Sequence, residues 1–324
     1  ISRGDLMFPI IPANSVTAPS GNSNGIFFGG KAADTTLMAI SNTVSNTGIL
    51  QSDTAAVAGV TAQTQKAGCE YGTDKGIHFG GLNNTTDPIS ITNLTSNLGI
   101  MVADTTGVAG VTARRQLAGC DFGGDKGIFG FGDASGPPFL GMSNLVSNAG
   151  IVASDVAAVG SAREELNGCE YGGDKDKGIF GFGLQASAGD PPNYSYDPIT
   201  NLVSNLGVIA SDTAAVAGVG GKTSGAGCSY GGDKGIFGFG SGYTGITNLI
   251  SSAGVVSADT AAVATGKKNL TACEYGGDKG IFSFGKISGD VTDATNQVSN
   301  TGVVQSDVTG VGTARSESSG CSWG

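Results

Sequence analysis

The sequence has little of the chemistry on which many catalytic and nucleic-acid sites depend. It contains one histidine and one tryptophan in 324 residues, and 17 Lys and Arg against 27 Asp and Glu give a formal charge of -10. Because phosphate binding depends mainly on Lys and Arg, we expect no nucleic acid partner and no attraction to anionic membranes. No apolar run is long enough to span a bilayer, so no membrane insertion is expected.

Recognisable catalytic motifs are also missing. The chain has no histidine beside a Gly-x-Ser-x-Gly elbow, no H-E-x-x-H motif and no phosphate loop with its lysine. We therefore predict a protein that is not an enzyme and needs no cofactor. A glycosidase remains an alternative, because it needs only a pair of carboxylates that no short motif reveals.

Cysteines are few, and their placement argues against disulfides. Each of the six cysteines falls at the same place in a repeat, and equivalent positions on a ring are expected to lie beyond the ~7 Å Cα separation that a disulfide allows. We predict small buried thiols on inner strands and no metal site, since no CxxC pair is present. The alternative is a metal-binding ring. The cysteines are Cys69, Cys120, Cys169, Cys228, Cys273 and Cys321.

What the sequence has in abundance is glycine, 57 residues of it, arranged in a repeat. The clearest copy runs from Gly119 to Gly132, and others run from 68 to 81, 168 to 183, 227 to 240 and 272 to 285. A sixth copy is divided, with its first half at Gly320–Gly324 and its second half at Asn24–Gly30. A copy split between the two ends predicts a ring of six units in which the ends meet.

Each copy reads as four short strands separated by turn signals. In the third copy these are 112–122, 127–132, 142–146 and a fourth opening at 151–153, with a Gly-Gly-Asp-Lys hairpin between the first two. We predict an all-β fold, a six-bladed β-propeller of four-stranded antiparallel blades. The ring would be closed by the C-terminal strand, 314–323, joining the N-terminal blade at 25–30.

The expected domain organisation is one propeller preceded by an arm. Residues 1–23 carry three prolines among scattered Ser and Asn, which is typical of an extended arm. Residues 24–324 form the propeller, with blade repeats at about 24–60 plus 313–324, 61–110, 111–160, 161–219, 220–265 and 266–312.

Glycine alternates with phenylalanine in the second strand of each copy. Alternation places Phe129 and Phe131 on one side and Gly130 on the other, so we predict that rings of one blade lie over bare backbone of the next. The copies ending in Gly29-Gly30 and Gly80-Gly81 shift the aromatic residue, which predicts different packing at their junctions. His78 replaces a packing Phe and is expected to be an interblade filler.

These residues resemble a kelch-type repeat. The resemblance is carried by Ala162-Arg163, by the run from Cys169 to Asp174, and by Gly178-Ile179-Phe180-Gly181-Phe182-Gly183. The sequence of the repeat is also similar to that of bacteriophage tail and tail-fibre repeat proteins. This similarity lies in Asp-Lys-Gly-Ile-Phe-Gly-Phe-Gly and in the segment Ile199–Asn205 that follows it. The kelch resemblance implies a propeller closed by its C-terminal strand, and the phage resemblance implies a virion component.

The loops that differ between copies share one face of the predicted ring. Those of adjacent blades carry aromatic and apolar residues, which could form a rigid patch for sugar rings or for a protein surface. The alternative is that these side chains fold back and cap the blade rims. The candidate binding residues are Phe139, Leu140, Tyr194, Tyr196 and Tyr243.

One aspartate recurs near the end of every repeat, usually within Ser-Asp-Thr or Ser-Asp-Val. Short acidic side chains accept backbone N–H bonds in turns, so we predict a structural role and not a metal site. The six are Asp53, Asp104, Asp155, Asp212, Asp259 and Asp307.

Together these patterns favour a non-enzymatic virion structural or adhesion protein, a tail-fibre-like appendage located in the virion or outside the cell. Its expected partners are other virion proteins and a host-surface glycan or protein, with the chain as an oligomer on a larger assembly. The alternative is a cellular protein, either a secreted lectin or a kelch-type protein-binding propeller.

Overall fold

The computed structural model describes residues 24–83, 86–107, 109–157, 159–186, 193–261 and 264–324. The arm predicted over 1–23 lies outside this set. Within the described ranges the fold is all-β, with one short 3-10 helix at Gly173–Lys175. No helix in those ranges combines the length and the apolar character needed to cross a membrane.

Six antiparallel sheets, A to F, account for most of the described strands. Each is built from an inner, a middle and an outer strand, hydrogen-bonded in that order. The inner strands of sheets A to F are Ser319–Trp323, Ala67–Tyr71, Ala118–Phe122, Asn167–Tyr171, Ala226–Tyr230 and Thr271–Tyr275. The middle strands are Asn24–Phe28, Lys75–Phe79, Lys126–Gly132, Lys177–Gly181, Lys234–Gly238 and Lys279–Ser283. The outer strands are Ile40–Val44, Thr92–Thr95, Leu140–Val146, Thr200–Val203, Thr247–Ile250 and Thr295–Val298.

Tight turns connect the inner and middle strands because their glycines adopt positive φ. In sheet E the strands pair from Ala226 with Gly238 to Tyr230 with Lys234, and Gly231 and Gly232 in the turn have φ of 63° and 78°. Left-handed backbone of this kind is readily adopted by glycine and costs other residues energy. The repeated Gly-Gly-Asp sequence therefore suits the turn, although sheet B forms it with Thr73 at the second position, where φ is 68°.

Sheet A is completed by strands from the two ends of the described chain. Asn24–Phe28 pairs antiparallel with Ser319–Trp323, from Asn24 opposite Trp323 to Phe28 opposite Ser319. This register matches the hairpins of the other sheets, in which Lys234, for example, lies opposite Tyr230. The divided repeat predicts this pairing, and it leaves neither strand with a free edge on that side.

The expected fourth strand is not formed in most sheets. Among the described residues it is a strand in sheet A alone, at Thr54–Ala55, while elsewhere the outermost segment makes isolated bridges such as Val146–Val152 and Ser143–Val156. The prediction of four-stranded blades is therefore wrong for sheets B to F, which have three strands each among the described residues. The segment is also held by hydrogen bonds that the recurring aspartate accepts, and these form in sheet A as well, where the strand is present.

The core lies between the sheets, in six clusters that each join two neighbours. The cluster between C and D, for example, packs Cys120, Ile128 and Phe131 against Phe180 and Val203. Equivalent clusters join A to B, B to C, D to E, E to F and F back to A. Inner strands likewise contact one another in the order A, B, C, D, E, F and again A.

Phenylalanine packs over glycine between sheets, as the alternation predicts. A Cβ at Gly130 would lie 3.1 Å from Phe180, and a Cβ at Gly238 would lie 3.0 Å from Phe282. Four interfaces contain edge-on ring pairs with interplanar angles of 64° to 89°. The shifted copies take part in three interfaces: Phe28 with His78 at 55° and Phe79 with Phe129 at 34° are tilted, whereas Phe27 with Phe284 is edge-on at 89°. The different packing predicted for their junctions is therefore found at the A–B and B–C interfaces and not at F–A.

Two further strand pairs extend from the sheets on the side where the inner strands begin. Leu184–Ala186 pairs with Tyr194–Tyr196 above sheet D, and Lys286–Ile287 pairs with Asp290–Val291 above sheet F. Strand direction places the loops between middle and outer strands at this end, which we call the loop face. The inner-to-middle hairpins lie at the opposite end, the hairpin face.

Candidate functional site

The aromatic candidates on the loop face are partly brought together. Phe139 and Tyr194 stack with ring centroids 6.3 Å apart and an interplanar angle of 30°. Phe139 is buried and Leu140 is half-buried at the start of the outer strand of sheet C, whereas Tyr194 and Tyr196 are 54% and 55% exposed. Phe139 therefore supports Tyr194 from beneath, and the two tyrosines present the accessible surface.

The strand that carries the tyrosines explains their common direction. Tyr194 and Tyr196 are two residues apart in one strand, and alternate residues of a strand point to the same side. Their partners, Ala186 and Leu184, fix the register of this short hairpin. Two half-exposed rings thus lie side by side on the loop face.

Tyr243 belongs to the neighbouring sheet E and forms a separate contact. It is half-buried, and the Lys268 ammonium lies 4.8 Å from its ring centroid. Among the described residues no ring contact joins Tyr243 to Tyr194 or Tyr196. The structure therefore places one of the five candidates apart from the rest.

A polar passage along the axis of the inner strands was missed by the sequence interpretation. At the middle of the inner strands it is lined by the six cysteines, by the glycine or alanine before each of them, and by five of the six residues that follow them. The position after each cysteine carries Glu70, Asp121, Glu170, Ser229, Glu274 and Ser322. The sequence does show an acidic residue after four of the six cysteines. That these residues share one cavity follows only when the inner strands are known to face one another.

Lys175 enters this passage from the hairpin face. It lies in the 3-10 helix Gly173–Lys175, within a turn of sheet D that is two residues longer than the turn of sheet E, and its ammonium forms an ion pair with Glu274 Oε2. Ser229 Oγ lies 2.6 Å from the same oxygen and also bonds to Glu170. One lysine of the chain thus occupies the hairpin-face mouth of the passage.

Burial and mutual repulsion change the protonation of the acidic residues in this passage. Burial and the charge of Asp121 raise the pKa of Glu70 well above its usual value, and burial and Glu170 do the same for the pKa of Asp121. Burial also raises the pKa of Glu274 although Lys175 opposes it. Burial lowers the pKa of Lys175, but the charges of Glu274 and Glu170 outweigh it and the net shift is upward.

The recurring aspartates clamp the chain that leads into each inner strand. In sheet C, Asp155 accepts hydrogen bonds from the Thr112 backbone N–H at 3.0 Å and from Asn144 Nδ2 at 2.8 Å, with Arg114 at 3.8 Å. Burial raises the pKa of Asp155, but these bonds and the Arg114 charge outweigh it and the net pKa is lowered. The structural role is confirmed, since the other five make equivalent bonds: Asp53, Asp104, Asp212, Asp259 and Asp307.

A buried cation stands beside the clamp in five sheets and stacks on a phenylalanine of the preceding sheet. Arg163 lies 4.5 Å from the Phe131 ring centroid and 3.5 Å from Asp212. Such contacts join aromatic packing to a charge pair at the same interface. The cations are Arg114, Arg163, Lys222, Lys267 and Arg315.

The six cysteines are buried and unpaired, as expected. No group of three metal-ligating side chains is found in the described part of the chain. His78 is fully buried against Phe28, with its Nδ1 2.7 Å from Ser319 Oγ, and burial lowers its pKa to about 3. A neutral, enclosed histidine fits the predicted role of an interblade filler.

Comparisons with known proteins give information on the fold alone. No protein-family model matches the chain, and no curated protein matches it. Among solved structures, the chain is similar to one titled "Structure of YjhT", with a TM-score of 0.62 and 10% sequence identity. The match covers 82% of this chain and 91% of that chain, and at this identity it shows a shared β-sheet fold alone.

Proposed function

We propose that the chain forms a closed six-bladed β-propeller that acts as a non-enzymatic binding scaffold. Three observations support the propeller: six sheets that pack in a cycle, six core clusters between them, and a sheet completed by both chain ends. A ring of this kind protects its sheet edges and holds its loops in fixed positions. Each sheet corresponds to one blade.

The observation that carries the binding role is the tyrosine pair on the loop face. Tyr194 and Tyr196 are each more than half exposed, and Tyr194 rests on the buried ring of Phe139. Such rings offer a large apolar surface with a polar hydroxyl and lose little conformational freedom on binding. The pair suits the apolar face of a sugar ring or a flat protein surface.

A non-enzymatic role is supported by two sets of ionisable groups, the recurring aspartates and the lone histidine. The recurring aspartates are committed to backbone clamps, and the lone histidine is enclosed between sheets. We further propose that the scaffold serves as a virion appendage, a tail-fibre-like protein that contacts the host surface or other virion proteins. The proposed virion location rests on the resemblance of the repeat sequence to bacteriophage tail and tail-fibre proteins.

The binding role predicts that the double variant Tyr194→Ala/Tyr196→Ala loses attachment to host cells or arrayed glycans by roughly tenfold or more. Its melting temperature should change little, because both rings are half exposed. Val255→Ala removes an apolar side chain that is 55% exposed at a turn of the hairpin face, and it serves as the control. Attachment that is equally strong in the double variant and the control would assign binding to another surface.

A further inference from the structure

A closed ring of hydrogen bonds surrounds the axis at the loop face. The residue four places before each inner-strand cysteine has a left-handed backbone, with φ between 53° and 60°. Each donates its backbone N–H to the carbonyl of the corresponding residue in the preceding sheet, at 2.7 to 3.1 Å. In order these residues are Gln65, Gln116, Glu165, Ser224, Asn269 and Glu317.

This ring is the rim of a cavity of about 90 Å³. Below the polar rim the lining includes three buried leucines, Leu117, Leu166 and Leu270. Lys66 contributes to the wall, but its ammonium is held elsewhere, 3.0 Å from Asn93 Oδ1 and 3.3 Å from the carbonyl of Ile91. The cavity therefore combines an acidic and amide rim with apolar sides.

The two glutamates of the rim differ in how far their charge is compensated. Glu317 receives Lys31 at 3.1 Å, Asn269 at 3.0 Å and Gln65 at 3.1 Å. Glu165 receives two neutral donors, the Gln116 amide at 2.8 Å and the Ser224 hydroxyl. A carboxylate can accept about four hydrogen bonds, so Glu165 keeps both acceptor capacity and an unbalanced charge within the described part of the chain.

Two polar atoms on the opposite side of the ring have no partner among the described residues. Ser318, which is 7% exposed, and Gln65 both line the cavity, and Ser318 Oγ and Gln65 Oε1 are the buried atoms that lack a partner. Ser318 follows Glu317, which lies three places around the ring from Glu165. A buried polar atom without a partner is unfavourable, so these atoms favour a ligand that can donate a hydrogen bond.

We propose that this cavity is a binding site for a small primary amine that carries a second hydrogen-bond donor, an amino alcohol or a short diamine. Its ammonium group binds Glu165, its hydroxyl or second amine binds Ser318 Oγ and Gln65 Oε1, and its methylene groups contact the leucines. The site does not depend on the proposed attachment function. It also parallels the opposite mouth, where the ammonium of Lys175 meets Glu274.

The test is titration calorimetry of the full chain with 3-amino-1-propanol, with 1-propylamine and 1,3-propanediol as comparators. The amino alcohol should bind most tightly, propylamine more weakly, and the diol not measurably. Glu165→Gln should weaken binding of the amino alcohol by roughly tenfold or more, because a charged hydrogen bond is lost. Ser318→Ala should lower the affinity for the amino alcohol to about that for propylamine.

Asp290→Asn removes an exposed carboxylate on the same face and should leave binding unchanged. Melting temperatures of all variants show whether each is folded, and Ser318→Ala tests the site separately should Glu165→Gln unfold. Equal binding of the diol and the amino alcohol, unchanged affinity in Glu165→Gln, or no binding at millimolar concentrations would each overturn the proposal. None of these outcomes bears on the tyrosine pair.

Discussion

At the scale of single residues, burial shifts the pKa of several ionisable groups toward the neutral form. Glu164, one residue before the rim position of sheet D, is 8% exposed. Burial raises its pKa to about 8, and the nearby charges of Glu165 and Asp133 act in the same direction while Arg115 opposes them. The folded protein therefore keeps this carboxyl protonated at neutral pH.

This shift predicts a pH-dependent gain in stability for Glu164→Gln. Between pH 4.5 and about 8 the unfolded chain loses the proton while the folded chain keeps it, so the contribution of Glu164 to stability falls as pH rises. The slope is at most about 1.4 kcal/mol per pH unit. Melting temperatures should be similar near pH 4.5, and the variant should melt several degrees higher above pH 8.

Asp290→Asn, at an exposed carboxylate, should show no such divergence. A constant difference between Glu164→Gln and the parent protein across this pH range would mean that the Glu164 carboxyl is ionised in the folded state.

Residues that recur in every copy could be interpreted from the sequence, and residues that act together across copies could not. The structural role of Asp155 follows from its type and its six-fold recurrence. The meeting of Glu70, Glu170 and Lys175 depends on the rotation between sheets, which local sequence does not express. Lys175 in particular lies in an extended turn of sheet D and reaches Glu274 of sheet F, a contact between copies that the sequence of one copy does not contain.

At the scale of single elements, glycine in the middle strands sets the spacing between sheets. Gly181 ends the middle strand of sheet D, and a Cβ there would lie 3.0 Å from Phe237 Cζ of the next sheet. Its φ is not in the left-handed region, so the requirement for glycine is one of space. The ring of Phe237 occupies the volume that any other side chain would need.

Gly181→Ala is therefore expected to destabilise the protein by about 1–3 kcal/mol through overpacking. Chemical denaturation measures the loss, and Phe237→Leu in the same background should recover part of it because a smaller side chain leaves room. Gly173→Ala is the matched control, since a Cβ at Gly173 meets nothing within 4 Å. A Gly181→Ala variant as stable as Gly173→Ala would show that the sheets can shift apart freely.

The alternation of Phe and Gly was sufficient to predict this packing and the two exceptional junctions. The outer edge of each sheet was less predictable, because Ile151-Val152-Ala153 has the composition of a strand. In the structure this segment makes only the isolated bridges Val146–Val152 and Ser143–Val156 to the outer strand, with Asp155 between them bonded to Thr112 and Asn144. A local pattern therefore overestimates the fourth strand.

At the scale of the whole molecule, stability depends on the pairing of distant strands in sheet A. Deletion of residues 319–324 would remove the inner strand of that sheet, including the buried Cys321 and Trp323, and would expose the edge of Asn24–Phe28. We expect loss of cooperative melting and aggregation, which light scattering and calorimetry would detect.

Deletion of Gly324 alone is the control, because this residue is exposed and outside the strand. Cooperative melting of the longer deletion at the temperature of the parent protein would mean that sheet A does not need its inner strand. That result would also count against the closed propeller proposed above.

The chain-end pairing also sets an order in time. Phe28 and Ser319, which face each other in sheet A, are separated by 291 residues. At ~5–20 residues per second, the ribosome delivers the second strand roughly 15–60 s after the first. During synthesis the first sheet to leave the ribosome is thus the last to be completed, and until then its unpaired edge is the nascent chain's most exposed template for association with a neighbour.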